Sequence, residues 1–293
     1  MSLIGFDIGG TYIKAGLFDG DLVLLAKKSA SFIKEKTYHN IIMIMCGMAD
    51  ELLSLNGQKK EDLSAIGVAS AGAVDVENGV VLKAHNLGFY NVPVRKELEG
   101  RFPGTPVSVI NDAAAATLAE YKKGALQGCK NALLLTLGTG VGGGAIIKGE
   151  LWRGGNGQGF EPGHITLDIN GPLCTCGNRG CIETLCSASW IEKKGGADAK
   201  TVIEAAKKGD AGSLGIFREY IENLSTAIAS LTAIFDPEII ALGGGLSLAG
   251  EFLFKPASEK VREKSFFKYP YKIVGAKTGN DAGITGAVIF VCS

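Results

Sequence analysis

The sequence has no excess of charge of either sign. Lys plus Arg and Asp plus Glu stand at 30 each in 293 residues. A balanced chain has no global attraction for polyanions, so neither nucleic acid nor a membrane surface is expected as a partner. It also has no long apolar run at its start: Ile41 to Met48 is too short to span a bilayer. No basic leader precedes the first apolar segment. Met1-Ser2-Leu3-Ile4-Gly5-Phe6-Asp7 runs straight into a strand pattern, which points to a cytoplasmic chain. No linker or low-complexity tract interrupts the sequence. Two lobes would therefore pack directly along a cleft and close on their ligands. With 46% hydrophobic and 20% charged residues, the composition is that of a globular protein large enough for two domains. Seven cysteines in such a chain favour thiols or a metal over disulfides.

What the sequence has is glycine, 42 residues of it, gathered at the ends of apolar strands. Three Gly-rich turns stand out: Asp7-Ile8-Gly9-Gly10-Thr11, Gly138-Thr139-Gly140-Val141-Gly142-Gly143-Gly144 and Gly243-Gly244-Gly245. Without a Cβ, backbone N–H groups can close around phosphate. Tight turns alone would also call for glycine. Gly138, Gly140 and Gly143 satisfy G-x-G-x-x-G, but a strand follows where a dinucleotide fold needs a helix. The first turn is no Walker loop, because Tyr12 to Phe18 resumes a strand and makes a hairpin.

The strand, Gly-turn, strand unit recurs at Ala132–Leu137 and Ala145–Ile147, a weak internal repeat that predicts two similar lobes. Helical periodicity covers Thr37 to Leu55 and Ser213 to Phe235. Strands are predicted at Ala65–Ala69, Val107–Ile110 and Ile239–Leu242. An Ala-rich helix runs from Asn111-Asp112 to about Lys123 and stops at Gly124.

Five groups of polar residues can carry chemistry. Asp7 ends the first strand, where it could hold Mg2+ against phosphates or merely shape an Asx turn. Lys14 is a candidate phosphate ligand or a surface lysine. Asp112 is the candidate catalytic base, although Asp before an Ala-rich helix is also an ordinary N-cap. His164, Cys174, Cys176 and Cys181 make a Cys3His set suited to structural Zn2+, with free thiols or a redox site as the alternative. Glu161 and Glu183 flank that set and are either functional or solvated.

Together these residues resemble the ROK family of repressors, open reading frames and sugar kinases. The match runs through Asp7-x-Gly9-Gly10-Thr11, Asn111-Asp112, Gly138 to Gly143, Glu161-x-Gly163-His164 and Cys174-x-Cys176-Gly177-x-x-Gly180-Cys181-x-Glu183. It continues through Leu242 to Gly245 and Gly279-Asn280-Asp281-Ala282-Gly283. The resemblance implies an α/β, two-lobed actin, Hsp70 and sugar-kinase fold of ribonuclease H-like lobes, with ATP and sugar in the central cleft. It implies a small lobe over 1–112, completed by 280–293, and a large lobe over 113–279.

On the same resemblance, Asp7, Gly9, Gly10, Thr11, Lys14, Gly138, Thr139 and Gly140 line ATP and Mg2+, while Gly243 and Gly244 lie by the adenosine. Gly72, Asn86, Asn111, Asp112, Glu161, His164 and Glu183 take the sugar, with Asp112 as base. His164 joins zinc to sugar. The expected activity is ATP-dependent phosphorylation of a hexose, glucose or a relative, at its 6-hydroxyl, by a homodimer. An N-acetylmannosamine kinase and a non-catalytic sugar sensor are the alternatives. The Asp-x-Gly-Gly-Thr motif begins at residue 7, which leaves no room ahead of it for the helix-turn-helix of the DNA-binding members. Departures at Ala71, Ala73, His85 and Ala114 all fall on the sugar side. They leave kinase activity better supported than glucose as its acceptor.

Overall fold

Strands in this chain announce themselves as short apolar runs ending in glycine, and the structure builds its two sheets from them. The computed structural model describes residues 2–32 and 36–293. They form two compact units. Unit 1 holds the chain to Ala119 with Arg153–Gly159 and Asn280–Ser293, and unit 2 holds Glu120–Trp152 and Phe160–Gly279.

In unit 1, β1 (Ser2–Ile8) and β2 (Tyr12–Phe18) form the expected hairpin, and β3 (Leu24–Ser31) extends it. Helix α1 (Tyr38–Leu55) starts at Thr37, whose hydroxyl accepts the Asn40 N–H, and ends at Asn56-Gly57. It leads to β4 (Leu63–Ser70), parallel to β1. A small antiparallel sheet of β5 (Ala73–Asp75), β6 (Val80–Ala84) and β7 (Phe89–Val92) intervenes before α2 (Val94–Arg101) and β8 (Val107–Asn111). Helix α3 (Asp112–Lys123) follows without a break.

Period-two alternation sends Ile4, Phe6 and Ile8 of β1 into one core with Met45, Leu52 and Val68. Leu3, Gly5 and Asp7 point to the other face, which is covered by α9 (Ala282–Val291). The backbone of α9 comes so close that a Cβ at Gly5 would meet the Ile284 carbonyl, and one at Gly67 the Ala287 carbonyl.

Unit 2 opens with β9 (Ala132–Leu137), β10 (Val141–Ile147) and the short β11 (Glu150–Leu151). Helices α4 (Ile182–Cys186), α5 (Ala188–Gly195), α6 (Ala199–Lys207) and α7 (Ala211–Phe235) then lead to β12 (Ile239–Gly243), α8 (Glu251–Lys264) and β13 (Lys272–Gly275). The apolar stripe of α7 is buried as its spacing predicts, with Phe217, Ile221, Leu224, Ile228 and Leu231 in the core.

The two sheets share one design. Their orders are β3-β2-β1-β4-β8 and β11-β10-β9-β12-β13, each with an antiparallel hairpin and two parallel additions. The weak repeat in the sequence is thus a structural one. The second glycine run differs from its sequence reading as one long turn. Gly142, Gly143 and Gly144 lie within β10, paired with Thr136, Leu135 and Leu134. A Cβ at Gly143 would press on the Leu134 carbonyl and on Pro162, so that glycine serves packing. Only 138–140 remain as the turn. No helix among the described residues is long and apolar enough to cross a membrane.

Candidate functional site

Unit 1 gathers its polar residues at the C-terminal ends of β1, β4 and β8. The β1–β2 turn is closed by Gly9 N–H donating to the Tyr12 carbonyl at 3.0 Å. Asn86 hangs over it: a Cβ on Gly10 would lie 3.7 Å from Asn86 Nδ2. Thr11 is exposed in the same turn. Gly72 has φ of 91°, and a side chain there would strike the Lys83 carbonyl, so only glycine fits.

The carbonyl of Gly72 accepts Asn111 Nδ2 at 3.0 Å. The Oδ1 of Asn111 accepts the N–H groups of Ala113 and Ala114 at 2.9 and 3.1 Å. Asn111 therefore caps α3, a role the sequence left open between it and Asp112. Asp112 takes a 2.8 Å bond from Ala113 N–H and otherwise keeps its carboxylate for other partners. Burial pushes its pKa up, opposed by that N–H.

Asp7 stands directly across from Lys14 in the β1–β2 register. Its pKa is raised to about 6, first by burial and then by the charge of Asp112, while Lys14 pulls it down. No protein group among the described residues donates a hydrogen bond to it. A largely buried carboxylate without donors, beside a second carboxylate, is a donor set suited to a hard cation such as Mg2+. Lys14 is no free surface lysine, since its Nζ donates to the Asn280 carbonyl at 3.0 Å.

Asp7→Asn carries an expected result. The native state keeps the Asp7 proton to about pH 6, and the unfolded chain only to about 3.8. The raised pKa favours the native state below about pH 4, and that contribution is lost as pH climbs to about 6. Asn cannot lose it. At pH 8 the variant is expected to be more stable than wild type, by up to about 3 kcal/mol for a two-unit shift. Urea melts at pH 4 and pH 8 check this: equal pH slopes in both proteins would refute it.

In unit 2 the 138–140 turn is tied down from several sides. Gly138 N–H donates to the Gly140 carbonyl, Ala188 N–H donates to the Gly138 carbonyl, and Ser189 Oγ donates to the Thr139 carbonyl at 2.8 Å. Glu183, read from sequence as either functional or solvated, is half-buried. Its Oε2 accepts Val141 N–H at 3.1 Å and occupies the space a Cβ on Gly140 would need. Thr139 remains exposed. The third glycine turn lies alongside, because Gly243 pairs with Thr136 and a Cβ on Gly244, at φ of 79°, would strike the Leu137 carbonyl.

Glu161 and His164 share one 3-10 turn over Pro162–His164, with His164 N–H donating to the Glu161 carbonyl. Beside it the cysteine loop folds back through Cys174 N–H to the Asn178 carbonyl, turning at Gly177 and Gly180, both with positive φ. His164 Nδ1 lies 3.7 Å from Cys174 Sγ, and Cys176 Sγ lies 3.7 Å from Cys181 Sγ. All four ligand atoms fall within 4.8 Å of one another. Tetrahedral zinc with its usual bond lengths sets ligand separations of about 3.5–3.8 Å, so the cluster fits the ion. Burial and the neighbouring Cys174 and Cys176 push the Cys181 thiol up to about 12. Three clustered sulfurs thus ask for a cation if they are to ionise together.

The sequence did not single out Ser187, which caps α5, or Ser189, whose hydroxyl anchors the 138–140 turn beside it. The signal was present in the Ser187-Ala188-Ser189 pattern, a helix N-cap soon after Glu183; Ser187 Oγ accepts Trp190 N–H.

The sequence profile of the ROK family matches residues 3–293. A glucokinase of Thermotoga maritima is 37% identical over 99% of this chain and 97% of its own. An N-acetylmannosamine kinase of Shigella flexneri is 30% identical over 99% of this chain and 98% of its own. The crystal structure of a ROK family glucokinase from Streptomyces griseus, in complex with glucose and AMPPNP, superposes with a TM-score of 0.85 at 32% identity, covering 99% of both chains.

Proposed function

The chain belongs to the ROK family, and from that premise we propose that it is an ATP-dependent hexose kinase acting on the 6-hydroxyl of glucose or a close relative. The observation that carries the reading is Asp112, close enough for its charge to raise the pKa of Asp7, with Asn111 taking the α3 cap in its place. Asp112 accepts the proton of the sugar hydroxyl. The freed oxygen attacks the γ-phosphorus, and the bond from that phosphorus to the β-phosphate bridging oxygen breaks to release ADP. Raised by burial, Asp112 is a better proton acceptor than an exposed carboxylate.

On this reading Gly9, Gly10, Thr11, Lys14, Gly138, Thr139 and Gly140 would bind the phosphates. Gly243 and Gly244 face the nucleoside. Asp7 would hold Mg2+, directly or through water, and the ion would offset phosphate charge. Gly72, Asn86, Asn111, Glu161, His164 and Glu183 would take the sugar hydroxyls. With Nδ1 turned toward Cys174, His164 has Nε2 left for the sugar, so zinc would orient a sugar ligand.

The departures at Ala71, Ala73, His85 and Ala114, and the similarity to an N-acetylmannosamine kinase, favour an amino sugar as the second candidate acceptor. A coupled ADP-release assay over a hexose panel decides between them. The expected result is the highest kcat/KM with glucose. A preference for N-acetylmannosamine would move the assignment to that sugar, and sugar binding without any turnover would replace the kinase by a sensor.

A further inference from the structure

The motif Gly279-Asn280-Asp281-Ala282-Gly283 matches the family, yet no role for it follows from the reaction. In the structure its last four residues lie in unit 1, where each of the first three strands reaches them. From β2, Lys14 Nζ donates to the Asn280 carbonyl at 3.0 Å. From β3, Lys27 Nζ meets Asp281 Oδ2 at 2.8 Å. From β1, Asp7 packs against Gly283 so tightly that a Cβ there would stand 2.5 Å from Asp7 Cγ and 2.6 Å from Oδ2.

Alternation along β1 explains why the acid lies here. Leu3, Gly5 and Asp7 share the face that α9 covers. Leu3 packs with Val288 and Ile284, and Gly5 lies under the Ile284 carbonyl. Asp7 is next along that face and meets the first turn of α9. The carboxylate has no hydrogen bond of its own among the described residues to fix its rotamer. What limits it is the shape of its surroundings.

We infer that Asn280–Gly283 is a seat for the Asp7 carboxylate, and that Gly283 is a positioning residue, left bare so that the acid can lie against the start of α9 and face the metal–nucleotide. The inference rests on the kinase reading for the ligand's identity, and on the packing for everything else. A methyl group at Gly283 pushes Asp7 off its rotamer. The loss then falls on metal-dependent nucleotide binding, whereas sugar binding is spared.

Calorimetric titration of Gly283→Ala with AMPPNP, with Mg2+ and again in EDTA, tests this. Affinity for the Mg2+-loaded analogue is expected to fall roughly tenfold or more, as for other groups that orient a metal ligand. Affinity in EDTA stays within about twofold. In an Asp7→Asn background, Gly283→Ala adds no further loss, because the group it positions is gone. Equal losses with and without Mg2+, or additive losses in the double variant, would overturn the inference and leave Gly283 a packing residue.

Should Gly283→Ala fail to fold, Lys27→Met loosens the same segment at Asp281. A Mg2+-specific loss of about two- to fivefold is then expected, the scale of an exposed ion pair. No Mg2+-specific loss in that variant would overturn the inference. A chain with no hexose turnover that still showed the Mg2+-specific difference would sink the kinase reading alone.

Discussion

Asp112→Asn is expected to cut kcat by about 10²–10⁴-fold, the usual worth of a positioned general base, with nucleotide affinity within a few-fold of wild type. The amide keeps the size and the 2.8 Å contact to Ala113 N–H but cannot take a proton. Helix α3 should stay intact, because its cap is Asn111 and not Asp112. Removing a buried carboxylate whose pKa burial has raised also relieves strain at neutral pH, so thermal stability should hold or rise. Single-turnover kinetics with calorimetry on the same preparation check both halves. A near-normal kcat would remove Asp112 from the chemistry.

Loss of zinc is expected to be the larger structural event. Cys174 and Cys181 are buried, Cys176 and His164 are exposed, and the loop's Ile165, Ile169 and Leu173 are themselves exposed rather than packed in a core. Without the ion, nothing favours three ionised sulfurs in one place. Cys176→Ser, or exhaustive chelation, should therefore lower the melting temperature by roughly 10 °C, equivalent to a few kcal/mol in a domain of this size. The sugar KM should rise about 10–100-fold, since His164 loses the partner that orients its ring. The KM for ATP should move far less. Elemental analysis expects one zinc per chain, and carefully purified protein free of zinc yet fully stable would refute the assignment.

Much of this architecture was legible because strands ending in glycine leave a strong local mark. The β1–β2 hairpin, α7 and the start of α3 all follow from alternation, 3.6-residue periodicity and cap chemistry. The cysteine cluster followed from spacing alone. Gly142 to Gly144 read as turn because glycine within a strand looks the same in sequence; at Gly143 the nearby Pro162 and the Leu134 carbonyl are what exclude a side chain. The small sheet β5–β7 was hidden by strands too short for alternation to show. The solvated alternative for Glu183 stayed open because its partner, the Val141 N–H, is 42 residues away. The division of capping between Asn111 and Asp112 turns on rotamers that no local pattern encodes.

Helix α9 follows unit 2 in the chain, yet it covers a face of the sheet whose strands all precede unit 2. During synthesis at about 5–20 residues per second, Leu3, Phe18 and Ala65 wait roughly 10–30 s between completion of β8 and arrival of their cover. All of unit 2 is encoded inside that interval. The nascent chain therefore carries a finished C-terminal neighbour and an unlidded N-terminal sheet at the same moment. A premature stop codon before Ala282 would leave that sheet open for good, a substrate for chaperones and proteases, however intact the rest of the chain.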